Sequence, residues 1–229
     1  MEAGTVARKR FGAGGIVRSG RPPRALAGEA EERILDAARK VFLERGFEGA
    51  SVDEIADVAR AGKPTIYARF PGKEALFGAV MTRKVRENTG SFERITPIGA
   101  TLEERLASIA TTILCKVLMA ETVGLCRVTV AEARRFPDLA ASVHRMARER
   151  TSEAIAQLLG ELPEAERLPG FAADRRAGTA RYFIELILLP MLMRALFGED
   201  LAALRAEIGP HVARTVAFVL AACRQGGIG

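Results

Sequence analysis

Apolar residues recur at three- and four-residue spacing along most of the chain, and strict alternation is nowhere sustained, so the pattern predicts helices and no sheet. Ile34, Leu35, Ala38, Val41 and Phe42 form the buried stripe of a first helix over 29–45, with Gly46 as its stop. Ser51-Val52-Asp53-Glu54 fits a capping box that opens a second helix, on which Val52, Ile55, Ala56 and Ala59 share one face. Arg60-Ala61-Gly62 interrupts that pattern. Lys63-Pro64 then starts a short third helix, where the missing proline N–H costs nothing, and Ile66 and Phe70 turn it inward. Pro71-Gly72 ends it, and a fourth helix buries Leu76, Phe77, Val80 and Met81. Further on, Thr101 caps a helix carrying Leu102, Leu106, Ile109, Ile113 and Val117. Helices over 121–136, 137–160, 171–197 and 201–224 follow, with a loop over 162–170. The expectation is an all-α chain of about nine helices. It divides into an arm (1–28), a first helical domain (29–90) and a second (91–229), with the boundary near Pro97 and Gly99.

Residues 51–74 carry the chemistry. A helix, a tight turn and a short second helix presenting Lys63, Thr65, Tyr67, Ala68 and Arg69 outward have the form of a DNA-reading helix-turn-helix. The register of Ile55-Ala56, Thr65-Ile66-Tyr67, Phe70 and Lys73-Glu74 resembles the TetR family of bacterial transcriptional regulators over about residues 29–80. One departure is Arg60, where most members carry a turn glycine, and Gly62 stands where serine is frequent. An arginine at a position that asks for positive φ predicts mild strain. The resemblance implies a three-helix DNA-binding domain followed by a helical ligand-binding and dimerisation domain. Lys63, Thr65 and Ala68 are then the candidate base-edge contacts, and Tyr67 and Lys73 the candidate phosphate contacts. Ser51, Pro64 and Arg69 complete that face.

Charge supports this reading. Residues 1–28 hold Arg8, Lys9, Arg10, Arg18, Arg21 and Arg24 against Glu2 alone, and 60–73 add Arg60, Lys63, Arg69 and Lys73 without an acid. The rest of the +6 chain is therefore net acidic, and the positive charge gathers where phosphates would lie. The arm is rich in Gly, Arg, Ala and Pro and has no apolar stretch of signal-peptide type. Gly20-Arg21-Pro22 resembles the core of an AT-hook, so Arg21 either enters a minor groove or belongs to a generic basic arm that adds phosphate contacts. Gly12-Ala13-Gly14-Gly15 follows no strand and is not read as a nucleotide loop.

The second domain is less explicit. The stretch 125–139, LCRVTVAEARRFPDL, looks like the AefR-like subgroup of that family. A family-type effector pocket would lie within 101–190, with Thr112, Cys115, Met119, Cys126, Arg127, Glu132, His144, Tyr182 and Glu185 as possible lining and ordinary core or surface as the alternative for each. The stretch 183–193 is the most apolar in the chain, yet it is too short for a membrane span and contains Glu185 and Pro190. Proline should kink or interrupt that helix. In the family the last two long helices pair with their mates in a second subunit. Phe183, Ile187, Met191, Leu196, Val216, Phe218 and Leu220 are candidates either for that seam or for the adjacent core.

Three cysteines without CxxC spacing point to a reducing compartment, and two isolated histidines support neither a metal site nor a triad. No nucleophile–base pairing is visible, so no enzyme and no cofactor are expected. The sequence reads as a cytoplasmic, homodimeric repressor that binds a palindromic operator in double-stranded DNA, responsive to an unknown small molecule and independent of membranes. The other reading is an architectural or division-linked DNA binder without effector control.

Overall fold

Gly46 does stop the first helix, but by bending it. In the computed structural model, which describes residues 24–162 and 168–225 with side chains from Gly28 onward, α1 spans Arg24–Gly49 and turns at Gly46 (φ 68°, ψ −179°). That left-handed φ suits glycine. Phe47 and Ala50 can therefore fold back under the stripe of Ile34, Ala38, Val41 and Phe42. Next come α2 (Val52–Ala59), α3 (Lys63–Tyr67) and α4 (Lys73–Phe92). They share with α1 one apolar cluster that includes Ile55, Ile66, Phe70, Leu76 and Phe77. Phe42, Phe47 and Phe77 form its aromatic centre, with ring centroids 5.1–5.8 Å apart.

The second cluster belongs to α5 (Leu102–Val117), α6 (Ala120–Ala131), α7 (Pro137–Gly160), α8 (Arg176–Leu196), α9 (Leu201–Ala206) and α10 (Ile208–Arg224). Leu106, Ile109, Ile113, Ile155, Phe183 and Val216 lie at its centre. Thr101 starts α5 with a complete capping box. Its hydroxyl accepts from the Glu104 amide (3.2 Å), and the Glu104 carboxylate accepts from the amides of Thr101 (3.1 Å) and Ala100 (2.7 Å). Those amide donors hold the Glu104 carboxyl below its ordinary pKa.

Two expectations need correction. The single helix expected over 201–224 is two, which brings the described residues to ten α-helices, in keeping with the expected count of about nine. Pro210 has no amide for the carbonyl of Ala206, and the chain turns at Glu207, which caps both pieces. Arg194 secures the corner by binding Glu199 and Glu207 together (2.7 Å to each). Pro190, in contrast, does not interrupt α8, which is continuous from Arg176 to Leu196. The residue is exposed, and so is Leu186, whose carbonyl loses its donor, so water can satisfy that group.

The two clusters interlock. Leu125 of α6 and Val143 of α7 are buried in the first cluster, and Phe92 of α4 is buried in the second. Beside Leu125, one oxygen of Glu121 on α6 binds Arg39 of α1 (2.8 Å) and Lys84 of α4 (3.2 Å).

Candidate nucleic-acid interface

The α2–α3 turn positions everything the interface needs. Arg60 caps α2 in the left-handed region (φ 50°, ψ 46°) and is the sole non-glycine residue with positive φ among those described. Its own amide and that of Ala61 close on the carbonyls of Asp57 (3.2 Å) and Ala56 (3.0 Å). The turn expected of a glycine thus forms around an arginine, at a strain of about 1 kcal/mol. Its side chain is exposed.

The amides of Thr65 and Ile66 then donate to the Gly62 carbonyl (2.9 and 3.2 Å), starting α3 with Pro64 in its first turn. Ile66 is 1% exposed, and it anchors this five-residue helix together with Phe70. That anchoring leaves Lys63, Pro64, Tyr67 and Ala68 exposed, with Thr65 and Arg69 half-buried. The Arg69 guanidinium donates to the Thr65 carbonyl (3.2 Å).

Ser51 caps α2, its hydroxyl accepting from the Glu54 amide (3.0 Å). The reciprocal half of the expected capping box is absent, because the Glu54 carboxylate faces Arg45 (3.4 Å) instead. Lys63 does not extend freely either. Its ammonium lies 2.6 Å from the Asp53 carboxylate in the first turn of α2, and that hydrogen bond raises its pKa above the ordinary lysine value. Asp53 entered the sequence reading only as part of the capping box, and nothing in its spacing marks it as the partner of Lys63.

Lys73 is committed as well. It was expected at the start of α4 with its ammonium toward phosphate. Instead the ammonium donates to the carbonyls of Phe47 (2.8 Å), Ala50 (3.0 Å) and Glu48 (3.4 Å), and rests 4.5 Å from the centre of the Phe47 ring. The last carbonyls of α1 lack helical partners, and this lysine supplies them. Arg21 lies outside the described residues.

The expected effector set does not converge. The Thr112 hydroxyl donates to the Ser108 carbonyl (2.8 Å), Cys115 and Met119 are exposed, and Glu132 caps α6. Arg127 donates to the Ala195 carbonyl (2.5 Å), Glu185 pairs with Arg148 (3.0 Å), and Tyr182 lies under the Arg181 guanidinium (5.3 Å). Cys126 is partly buried, and burial pushes its thiol pKa up. Only His144 of this set lines a cleft of about 520 Å³ between α7 and α8, beside Arg145, Arg148, Glu149, Ser152, Glu153 and Arg181. Ser152 Oγ is the one buried side-chain polar atom without a hydrogen-bond partner among the described residues. Arg127 lines a second cleft of about 320 Å³ with Val130, Met193, Leu196 and Phe197.

Five of the seven residues that were candidates for seam or core lie in the core. Phe183, Ile187, Met191, Val216 and Leu220 are 4% exposed or less, so they have no surface left to bury against a partner. The exposed apolar side chains nearby are Leu186, Leu189 and Met193 on α8, Phe197 just past its end, and Phe218 on α10, the last one of the candidates named from sequence. Leu196 is half-buried. Periodicity locates an apolar helix but does not tell its inward face from an outward one when both are apolar. No described helix is long and apolar enough to cross a membrane, and no described cluster of His, Cys, Asp and Glu is suited to a metal.

Comparison with known proteins agrees with this geometry. Residues 34–80 match "Bacterial regulatory proteins, tetR family", and 104–225 match "AefR-like transcriptional repressor, C-terminal domain". The solved Flavonoid-responsive Regulator FrrA is 30% identical, over 83% of this chain and 97% of that one, with a TM-score of 0.59. A crystal structure assigned to the same family from Mesorhizobium loti has a TM-score of 0.73 at 24% identity, over 84% of this chain and 97% of that one, a likeness of fold. The transcriptional activator FasR of Mycolicibacterium smegmatis is 44% identical over 73 residues, which span only 32% of each protein. The transcriptional repressor BepR of Brucella suis is 27% identical over 78% of this chain and 86% of that protein. The chain belongs to the TetR family of DNA-binding transcriptional regulators, which are not enzymes, and carries an AefR-like C-terminal domain.

Proposed function

We propose that the protein is a cytoplasmic homodimeric repressor that reads a near-palindromic operator and releases it on binding a small molecule. The observation that carries this is α3, held by the single buried Ile66 while Lys63, Pro64, Tyr67 and Ala68 stay exposed. Lys63 offers a donor to guanine acceptors, and Ala68 and the Thr65 methyl offer contacts to thymine methyls. Tyr67, Ser51, Arg69 and the backbone amides at the uncapped start of α4 serve phosphates. Lys73 joins them only by leaving its three carbonyls. Residues 29–90 act as the DNA-binding domain and 91–229 as the effector and dimerisation domain.

A second subunit would cover the exposed stripe of Leu186, Leu189, Met193, Phe197 and Phe218. The effector site is the α7–α8 cleft, where Arg145 and Arg181, the carboxylates of Glu149 and Glu153 and the unpartnered Ser152 hydroxyl suit a molecule rich in hydroxyls, such as a polyphenol. The resemblance to FrrA makes flavonoids the first class to try. Repression rather than activation follows the relative matched over most of its length, BepR.

The test is selection of genomic fragments by purified protein at moderate salt, with a Lys63→Ala/Tyr67→Ala variant alongside. The expected result is a palindromic motif upstream of genes that the variant fails to recover. Broad recovery without a motif, insensitive to those changes, supports an architectural role instead. With the operator in hand, a flavonoid panel that leaves its affinity unchanged removes that effector class.

A further inference from the structure

We propose that the turn joining α6 to α7 is a clamp for the helix-turn-helix, with Arg135 and Phe136 as positioning residues that act through Phe47. The inference concerns the DNA-binding domain and does not depend on an effector.

Phe47 sits at the corner where α1 bends and the chain passes through Ala50 and Ser51 into α2. It is 1% exposed. Three rings meet it: Phe42 at 5.8 Å, Phe77 at 5.4 Å and, from the second domain, Phe136 at 5.1 Å with the rings inclined by 70°. Two cations also share it, Lys73 at 4.5 Å and Arg135 at 5.7 Å from its centre. Arg135 covers the Phe136 ring as well (5.1 Å) and forms an ion pair with Glu48, the next residue along the corner. Lys73 holds three carbonyls of the same stretch, those of Phe47, Glu48 and Ala50. The corner is therefore gripped from α4 by one cation and from the second domain by another, with an aromatic pair beneath.

The elements on both sides of the turn are themselves fixed to the first domain. Glu121 ties α6 to Arg39 and Lys84, and Val143 of α7 is buried in the first cluster. Leu139 lies so close to Gly78 of α4 that a Cβ there would meet it at 3.0 Å. Displacement of α6 or α7 thus reaches the corner through Arg135 and Phe136. The corner leads straight into the Ser51 cap, so α2 and the recognition helix packed on it move with it. No atom of the turn needs to touch DNA for this to govern DNA affinity.

The experiment uses the full chain with Phe136→Ala, Phe136→Leu, Arg135→Ala and Arg135→Lys, read by amide hydrogen exchange and by duplex binding across a salt series. The expected result is at least tenfold faster exchange at residues 48–56 in Phe136→Ala, with the rates of α8 and α10 unchanged. Operator affinity should fall about tenfold in Phe136→Ala and about threefold in Arg135→Ala, with partial recovery in Phe136→Leu and Arg135→Lys. The salt slope should stay constant, because no phosphate contact is lost, whereas Arg69→Ala, which removes a cation assigned to phosphate, lowers it by about one. Unchanged exchange at 48–56 in both alanine variants overturns the proposal, and so does exchange that rises equally in both domains. A reduced salt slope overturns it too, since it places the turn on the DNA itself. If Phe136→Ala does not fold, the Arg135 variants and Phe136→Leu decide. If no operator emerges, the proposed function fails and the exchange result still decides the clamp.

Discussion

The Lys63 ammonium lies 2.6 Å from the carboxylate of Asp53, so the cation at the tip of the recognition helix is held by the helix before it. DNA must compete with that carboxylate. Asp53→Asn should strengthen binding to random duplex several-fold and steepen the salt dependence by about one, because an anion near the phosphates is replaced by a neutral group. Lys63→Ala should weaken operator binding by about 1–3 kcal/mol and relax the sequence preference at one position per half-site. Fluorescence anisotropy with operator and scrambled duplexes, titrated with salt, reads both.

Arg60 holds a left-handed backbone (φ 50°) without glycine's freedom. Arg60→Gly should stabilise the fold by about 0.5–1 kcal/mol, the relief of strain being partly offset by a more flexible unfolded chain. If the arginine is there for phosphate, the same variant binds duplex more weakly with a shallower salt slope. Urea denaturation and anisotropy together separate the two effects.

Leu189 and Phe197 are 48% and 85% exposed, whereas Ile187, two residues before Leu189 on α8, has no exposed surface. Leu189→Glu with Phe197→Glu should yield folded monomers. Ile187→Glu should fail to fold, since an unpaired charge would enter the core. Sedimentation equilibrium beside circular dichroism distinguishes loss of pairing from loss of structure.

Gly170 fits against α10 so closely that a Cβ would lie 2.7 Å from the Cys223 backbone. The Thr179 hydroxyl donates to the carbonyl of the same glycine, and burial raises the Cys223 thiol to about 11. Gly170→Ala should cost about 1–3 kcal/mol by overpacking, with the loss centred on α10. Thermal unfolding measures the total, and faster alkylation of Cys223 shows where it falls.

Glu104 has its carboxyl pKa lowered by the amides of Ala100 and Thr101. A depressed folded value means that its stabilisation is complete above the unfolded value, ordinarily about 4.3, and is lost as pH falls through the folded value. The stability of Glu104→Gln should therefore decline less steeply than wild type on the acid side of that window. Denaturant midpoints measured from neutrality down to acid unfolding provide the comparison.

The first domain was legible because its apolar residues alternate with polar ones at helical spacing. Ile55, Ala56, Ile66 and Phe70 face inward as their register requires, and Arg60 takes the backbone its position demanded. What escaped are long-range pairings and the orientation of evenly apolar helices. Lys63 with Asp53, and Lys73 with the carbonyls of the α1 corner, depend on how segments ten to twenty-six residues apart meet. On α8 the inward Phe183 and Ile187 and the outward Leu189 and Met193 are chemically alike, so only packing tells them apart. The EARRFP run at 132–137 carries a family resemblance, but its contact with Phe47 joins residues almost ninety apart.

Glu121 gives one oxygen to Arg39 of α1 and Lys84 of α4, and that oxygen belongs to the second domain. It works as a pin driven in from outside: the two cations it holds tie α1 to α4 across one oxygen. The second domain thus reaches between two helices of the first and joins them through a single carboxylate.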